Sequence, residues 1–347
     1  MEIWIDSLFH RAIAWRKCML KDLFAGWRRS VAAVLLGVLA GTAAQAAEPA
    51  SDRPVRMIVP WVVGGSTDAL ARLLAEAMSA RLNQSILVEN RPGAAGTIGT
   101  NVVVRATPDG NTILLGTNST FAMAPHLYAD LPYDHARDLM PVGLVAGNQQ
   151  ILCVNPAVPV KTLPGLVEYL KGHAGQVVFE SAGNGGSSHM AMELFMSMTD
   201  TRMLHIPYKG GAPAVQSLMG NETNVGFVDV TVAIPLIQSG RLIALGSSGQ
   251  QRAPGLGDLP TIGEAGVAGF DSQTSFGLFV PKGTAPARIQ ALNKALNDAL
   301  ADPAMADKLA RMGFDRAGGT PEFLGRYVQT ESDKWGRLIA ERNIKIQ

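Results

Sequence analysis

Val55-Arg56-Met57-Ile58-Val59-Pro60-Trp61-Val62-Val63-Gly64-Gly65-Ser66-Thr67-Asp68 is the stretch that decides the fold. Residues 55–61 are apolar and β-branched enough to read as a buried strand. The strand runs into a polar, glycine-rich loop, 64–68. Beyond it Leu70, Leu73, Leu74, Ala77 and Met78 recur at i, i+3, i+4, i+7 and i+8, the apolar face of a helix. Ser66 or Thr67 is the natural N-cap, and Asp68 suits the positive end of the helix dipole. Strand, glycine loop and helix together are the repeating unit of an α/β protein.

The same unit recurs outward from this stretch. Residues 86–89 read as a strand, 90–99 as a glycine-rich turn entering a helix through Val104, and 112–116 as a third strand ending at Thr117-Asn118-Ser119-Thr120. Later, strand 177–180 leads into Ser181-Ala182-Gly183-Asn184-Gly185-Gly186-Ser187-Ser188-His189. A helix follows with Ala191, Leu194, Phe195 and Met198 on one face. Residues 203–207, 225–228 (ending at Asp229) and 242–245 are further strands. Thr284 is expected to cap a helix with Pro286 in its first turn, and Thr320-Pro321 opens the last helix. The alternation predicts a mostly parallel sheet covered on both faces, in two similar α/β halves.

Composition narrows the function. Of 347 residues, 47% are hydrophobic and 17% charged, an ordinary globular balance, and a formal net charge of +1 gives no electrostatic case for nucleic acid. Arg28 and Arg29 precede an uncharged stretch, 31–44, too short to span a bilayer, and Ala44-Gln45-Ala46 offers small residues for a signal peptidase. Residues 1–46 therefore read as a secretory signal cleaved after Ala46, with Met19 an alternative start. Removing them deletes six of the 30 Lys+Arg and three of the 29 Asp+Glu, which leaves the remainder at −2. Cys18 leaves with them. Cys153 stays alone in an apolar run, a small buried hydrophobe with no disulfide partner. The methionines at 190, 192, 196 and 198 read as core filler.

The loops carry the chemistry. Loops 64–68 and 181–189 both follow strands and precede helices, the edge at which open α/β sheets bind ligands. Free N–H groups of a first helical turn favour an anion, and glycines let it approach closely. Two such loops facing one another across a cleft would hold a small carboxylate from both sides. Catalytic patterns are weak: there is no G-x-S-x-G elbow, no phosphate-binding glycine loop and no H-E-x-x-H, and the histidines are scattered singly. No metal or cofactor is implied. His189 reads as a loop-bracing residue; Lys209 is either a ligand contact or a solvated turn residue.

These residues also carry a resemblance. Ile58-Val59-Pro60, Gly64-Gly65-Ser66-Thr67-Asp68 and Ala71-Arg72 resemble the opening motif of the Bug family, the extracytoplasmic solute-binding proteins of tripartite tricarboxylate transporters. Val88-Glu89-Asn90-Arg91-Pro92-Gly93-Ala94-Ala95-Gly96 is similar to its second hallmark. Pro108-Asp109-Gly110, Tyr133-Asp134, the 181–189 loop, Pro207-Tyr208-Lys209-Gly210, Pro260-Thr261-Ile262-Gly263-Glu264-Ala265-Gly266 and Pro281-Lys282-Gly283-Thr284 follow in family order.

The resemblance implies a type II periplasmic-binding-protein-like fold, a Venus flytrap of two α/β domains with a hinge and an interdomain ligand cleft. Residues 47–150 plus 272–347 would form one domain and 151–271 the other, with crossovers near 142–154 and 270–279. It implies a monomeric periplasmic receptor that captures a di- or tricarboxylate, an aromatic acid or an amino acid and delivers it to membrane permease subunits, without catalysis. The implied contacts are Trp61, Gly64, Gly65, Ser66 and Thr67; Thr117, Asn118 and Ser119; Ser181, Gly183, Asn184, Gly185 and Ser187; and Tyr208 and Asp229. Two departures alter the expected cleft wall: Trp61-Val62-Val63 stands where aromatic-Pro-Pro is usual, and Ser275-Phe276-Gly277 where many members carry Trp. A ligand sensor feeding a signalling partner, or a secreted hydrolase using Ser187, His189 and Asp229, are the alternative readings.

Overall fold

The computed structural model describes residues 53–253 and 255–346; the segment 1–46, read from sequence as a secretory signal, lies outside the described residues. Ten strands form one curled sheet: β1 Val55–Val59, β2 Ile86–Asn90, β3 Thr112–Thr117, β4 Leu139–Val154, β5 Val178–Ser181, β6 Leu204–Pro207, β7 Val225–Asp229, β8 Ile243–Ser247, β9 Gln273–Pro281 and β10 Phe314–Arg316. Their order is β2-β1-β3-β9-β4-β7-β5-β6, with β8 and β10 also paired to β4. Strands β1, β2 and β3 are mutually parallel, as are β5, β6 and β7. The expectation of a mostly parallel sheet fails between these groups. Strand β9 is antiparallel to β3 and β4, and β4 is antiparallel to β7, β8 and β10. Local alternation of strand and helix specifies each parallel trio; it says nothing of strands that return from far along the chain.

Strand β4 is the seam. Its residues Leu139–Gln149 pair with β9, and Gln150–Val154 pair with β7 and β8. Each half of the sheet is covered on both faces. In the first half, Met57, Ile113, Leu115, Phe276 and Leu278 pack against the helices Ser66–Leu82 and Pro286–Ala301, through Leu70, Leu74, Met78, Leu292 and Leu296. On the opposite face Ile58, Leu114 and Phe279 meet Trp335 and Leu338 of the helix Pro321–Arg342. In the second half, Leu152, Phe179 and Phe227 pack on the helices Leu163–Gly172 and Ser187–Thr199, while Ile151, Cys153 and Val228 face Val215, Leu218 and Ala233. Met190, Met192 and Met196 are core, as their spacing predicts; Met198 is exposed. Cys153 is free and buried.

Three helix starts test the capping expectations. Thr320 caps as expected, accepting from Phe323 N–H. Thr284 does not: its hydroxyl donates to Pro281 O, and Ala285 occupies the cap of the Pro286–Ala301 helix. The cap of the Ser66–Leu82 helix is Gly65, so Ser66 and Thr67 are already helical and their hydroxyls are not spent on capping. Phe276 is fully buried and edge-on to Phe314 at 5.4 Å, so the Ser275-Phe276-Gly277 departure falls on core and not on a cleft wall. Phe276→Ala is expected to cost about 3–5 kcal/mol of folding stability, from lost burial plus an unfilled cavity; urea unfolding read by circular dichroism checks this.

Candidate functional site

The first loop is built to present backbone donors. Gly64 holds φ +84°, the left-handed region that favours glycine, whereas Gly65 is extended at φ −80°. The first helical hydrogen bond runs from Ala69 N–H to Gly65 O, which leaves the N–H groups of Ser66, Thr67 and Asp68 without intrahelical acceptors. Asp68 does not fill the anion position these groups define. Its carboxylate turns back to Gly64 N–H at 3.0 Å and takes both arms of Arg72, at 3.1 and 3.0 Å. Burial pushes the Asp68 carboxyl up, but the Arg72, Gly64 and Asn90 hydrogen bonds outweigh it and hold it below the ordinary value. Asn90 in turn donates to Trp61 O at 3.1 Å, so Asp68, Arg72 and Asn90 brace the loop from behind. Val62 and Val63, at 43% and 68% exposure, form its outer rim.

Two further segments converge on this loop. After β3, residues Ser119–Met123 form one turn of π-helix, a local widening frequent at functional sites. Thr117 N–H donates to Thr120 Oγ1, and Asn118 Nδ2 donates to Gln273 O at 2.7 Å. After β5 the second loop uses Gly183 at φ +141° and Gly185 at φ +73°, and the helix Ser187–Thr199 starts at the Gly186 cap. The second loop thus also opens a helix with no side-chain cap.

Several contacts at this seam cross between the halves. Ser66 Oγ donates to Asp229 Oδ2 at 2.8 Å, although the residues are 163 apart in sequence. Ser119 Oγ and Ser187 Oγ are 3.3 Å apart, and Ser187 Oγ donates to Asn118 Oδ1 at 3.4 Å. Gln150 Nε2 donates to the other oxygen of Asp229 at 3.4 Å. Burial raises the Asp229 carboxyl above its ordinary value, against the pull of the Ser66 and Gln150 hydrogen bonds. Glu180 is 2% exposed, and burial, then the charge of Asp229, raise it to about 8. It is therefore protonated at neutral pH, which removes one negative charge from behind the seam.

The structure separates the candidates. Ser66, Asn118, Ser119, Ser187 and Asp229 come together at the seam between the halves. Thr67 is buried in the first helical turn, and Thr117 is buried with its hydroxyl unpartnered among the described residues. The Trp61 ring is half-buried, its Nε1–H without a partner among the described residues. Ser181 is turned inward: its hydroxyl bonds Gly183 and His205 Nε2, the latter at 2.7 Å. Asn184 is exposed, and Gly185 N–H is spent on His189 Nδ1 at 3.1 Å. His189 braces the loop, stacked on His205 with ring centroids 4.0 Å apart; burial, then His205, push it down to about 3. With Ser187 bonded to Asn118 and His189 to Gly185, the two make no nucleophile–base pair. Tyr208 is held beside this loop by its N–H to Ser181 O, and Lys209 is exposed. Sequence reasoning passed over Asn148 and Gln150; the available signal was a run of three amide side chains, Asn148-Gln149-Gln150, interrupting an apolar strand. Among the described residues no group of three or more His, Cys, Asp or Glu is placed to hold a metal ion.

Comparison with known proteins identifies the family and supports the overall fold. Residues 70–344 match the family model described as tripartite tricarboxylate transporter family receptor. A protein of R. palustris solved with adipate is 30% identical, with a TM-score of 0.80 over 85% of this chain and 99% of that one. The periplasmic binding protein BugD is 35% identical, with a TM-score of 0.78 over 85% and 99%. MatC from Rhodopseudomonas palustris, solved with bound malate, is 30% identical, with a TM-score of 0.75 over 83% and 99%.

Glu180 gives a signed pH effect. A carboxyl raised from 4.5 to about 8 on folding contributes stability that is complete below about pH 4.5 and lost as the pH rises through about 8. Glu180→Gln copies the neutral acid and is expected to remove that loss. Its thermal midpoint should exceed the wild-type midpoint at pH 9 and match it near pH 5, as read by scanning calorimetry.

Proposed function

Because the chain belongs to the tripartite tricarboxylate transporter receptor family, we propose that it captures a small carboxylate between its two halves and hands it to the permease subunits of such a transporter. The observation that carries this reading is the meeting of Ser66 with Asp229, and of Ser119 with Ser187, which brings the first residue of each uncapped helix, Ser66 and Ser187, into contacts across the seam. The donors there are neutral, so the ligand's charge is met by N–H and O–H groups, each worth about 1.5–3 kcal/mol to a carboxylate. Three or four of them, less ordering costs, suit an affinity of about micromolar or better. The adipate and malate bound to its structural neighbours belong to the same chemical class.

In this reading residues 47–150 with 272–347 form one lobe and 151–271 the other. They hinge where β4 and the segment 270–279 cross between them, and each lobe brings half of the cradle. The protein acts in the periplasm as a monomer, exported by residues 1–46, and binds and releases without covalent chemistry. No helix among the described residues is long and apolar enough to cross a membrane.

Two measurements test the reading. Gly65→Val should fold, because φ −80° suits any residue and a Cβ at this position would meet only Val62 O, at 3.7 Å. Its branched side chain would crowd the anion position, so calorimetric binding of adipate and malate should disappear. A folded Gly65→Val protein with wild-type affinity would exclude the backbone cradle. Binding by the wild type should also weaken less than about threefold between low and high salt, since donors enclosed on closure escape ionic screening; a steep salt dependence would place the anion on a surface cation instead.

A further inference from the structure

Asn148 sits in the middle of β4 and is fully buried, yet neither its amide oxygen nor its amide nitrogen has a partner among the described residues. Gln150, two positions on, is 4% exposed; its Nε2 is used on Asp229 and its Oε1 has no partner among the described residues. Turning the Gln150 amide round would set oxygen against a carboxylate oxygen, so Oε1 is the free atom. Buried polar side chains in folded proteins are nearly always hydrogen-bonded. Two unsatisfied amides on one strand therefore need a reason.

Their placement supplies one. Residues i and i+2 of a strand share a face, and Gln150 lies directly opposite Asp229 in the β4–β7 ladder. Asn148 lies opposite Thr274 of β9; two residues further along β9, Phe276 lies between Ala146 of β4 and Thr117 of β3. Thr117, Asn148, Gln150 and Asp229 thus share one face of the sheet. This is the face on which the first core packs through Phe276 and Ala146, and it continues past that apolar layer to the Ser66–Asp229 contact. The Thr117 hydroxyl is unpartnered as well.

We propose that Asn148 and Gln150 form the floor of the ligand site, a neutral subsite that accepts a hydrogen bond from a hydroxyl or ammonium group on the bound carboxylate. This rests on the carboxylate-receptor reading above and adds the ligand's second functional group. The loop N–H groups supply donors only, and they satisfy a carboxylate. The floor adds two unpaired acceptors, Asn148 Oδ1 and Gln150 Oε1, beside one unpaired donor, Asn148 Nδ2. A ligand that brings no donor would leave those oxygens unpaired on closure, whereas one carrying a hydroxyl or ammonium group would satisfy them.

Malate and succinate differ by one hydroxyl and are the probes. Their binding, with that of adipate, is measured by calorimetry on the wild type and on Asn148→Leu, together with the thermal midpoint of each protein without ligand. We expect the wild type to bind malate at least about tenfold tighter than succinate. In Asn148→Leu malate should weaken about 10- to 100-fold, the discrimination should vanish, and the ligand-free midpoint should stay level or rise. Equal affinity of the wild type for malate and succinate overturns the inference, as does an Asn148→Leu protein that still discriminates. A lowered ligand-free midpoint also overturns it, because it makes the amide a structural group. Failure of the wild type to bind any of the three acids overturns the carboxylate reading itself, and the inference with it.

Discussion

Sixteen residues of extended backbone, Leu139–Val154, carry hydrogen bonds to both halves of the sheet, and the rest of the molecule is arranged around that sharing. A strand cannot be divided between two sheets without fixing the direction of one relative to the other. By pairing antiparallel to β9 on one side and to β7 on the other, β4 brings the loop that opens the Ser66–Leu82 helix and the loop that opens the Ser187–Thr199 helix to the same seam. The apolar residues of β4 serve four separate core clusters, so the only stretch left for polar side chains is where it leaves one half for the other. That stretch is Asn148-Gln149-Gln150.

The electrostatics of the seam follow from the same economy of charge. The acidic residue nearest the first cradle, Asp68, is neutralised from behind by Arg72 and aimed away from the anion position. Asp229 and Glu180 lie at and behind the second half, and burial raises both carboxyls, Glu180 to about 8. A carboxylate held here as proposed would need no buried cation beside it, so no unpaired cation would be left behind when it departs. The two histidines under the second loop are held uncharged by burial and by stacking, which lets His189 Nδ1 accept from Gly185 and keep the loop's turn in place.

The sequence by itself determined the parts that depend on near neighbours. Strand 55–59, the helix face of Leu70, Leu74 and Met78, the Thr320 cap and the glycine loops that end two strands were all legible, because periodicity, capping and positive φ are set within a few residues. The ordered motifs likewise announced the family to which the chain belongs. Tertiary structure alone decided the antiparallel insertion of β9 and the meeting of Ser66 with Asp229 across 163 residues. It also turned Ser181 inward to His205, and it set Asn148 and Gln150 on the Asp229 face. These outcomes depend on which distant strands pair and in what register. In a strand, a shift of one residue sends every side chain to the other face, so no local pattern can say which serine meets the cleft and which meets the core.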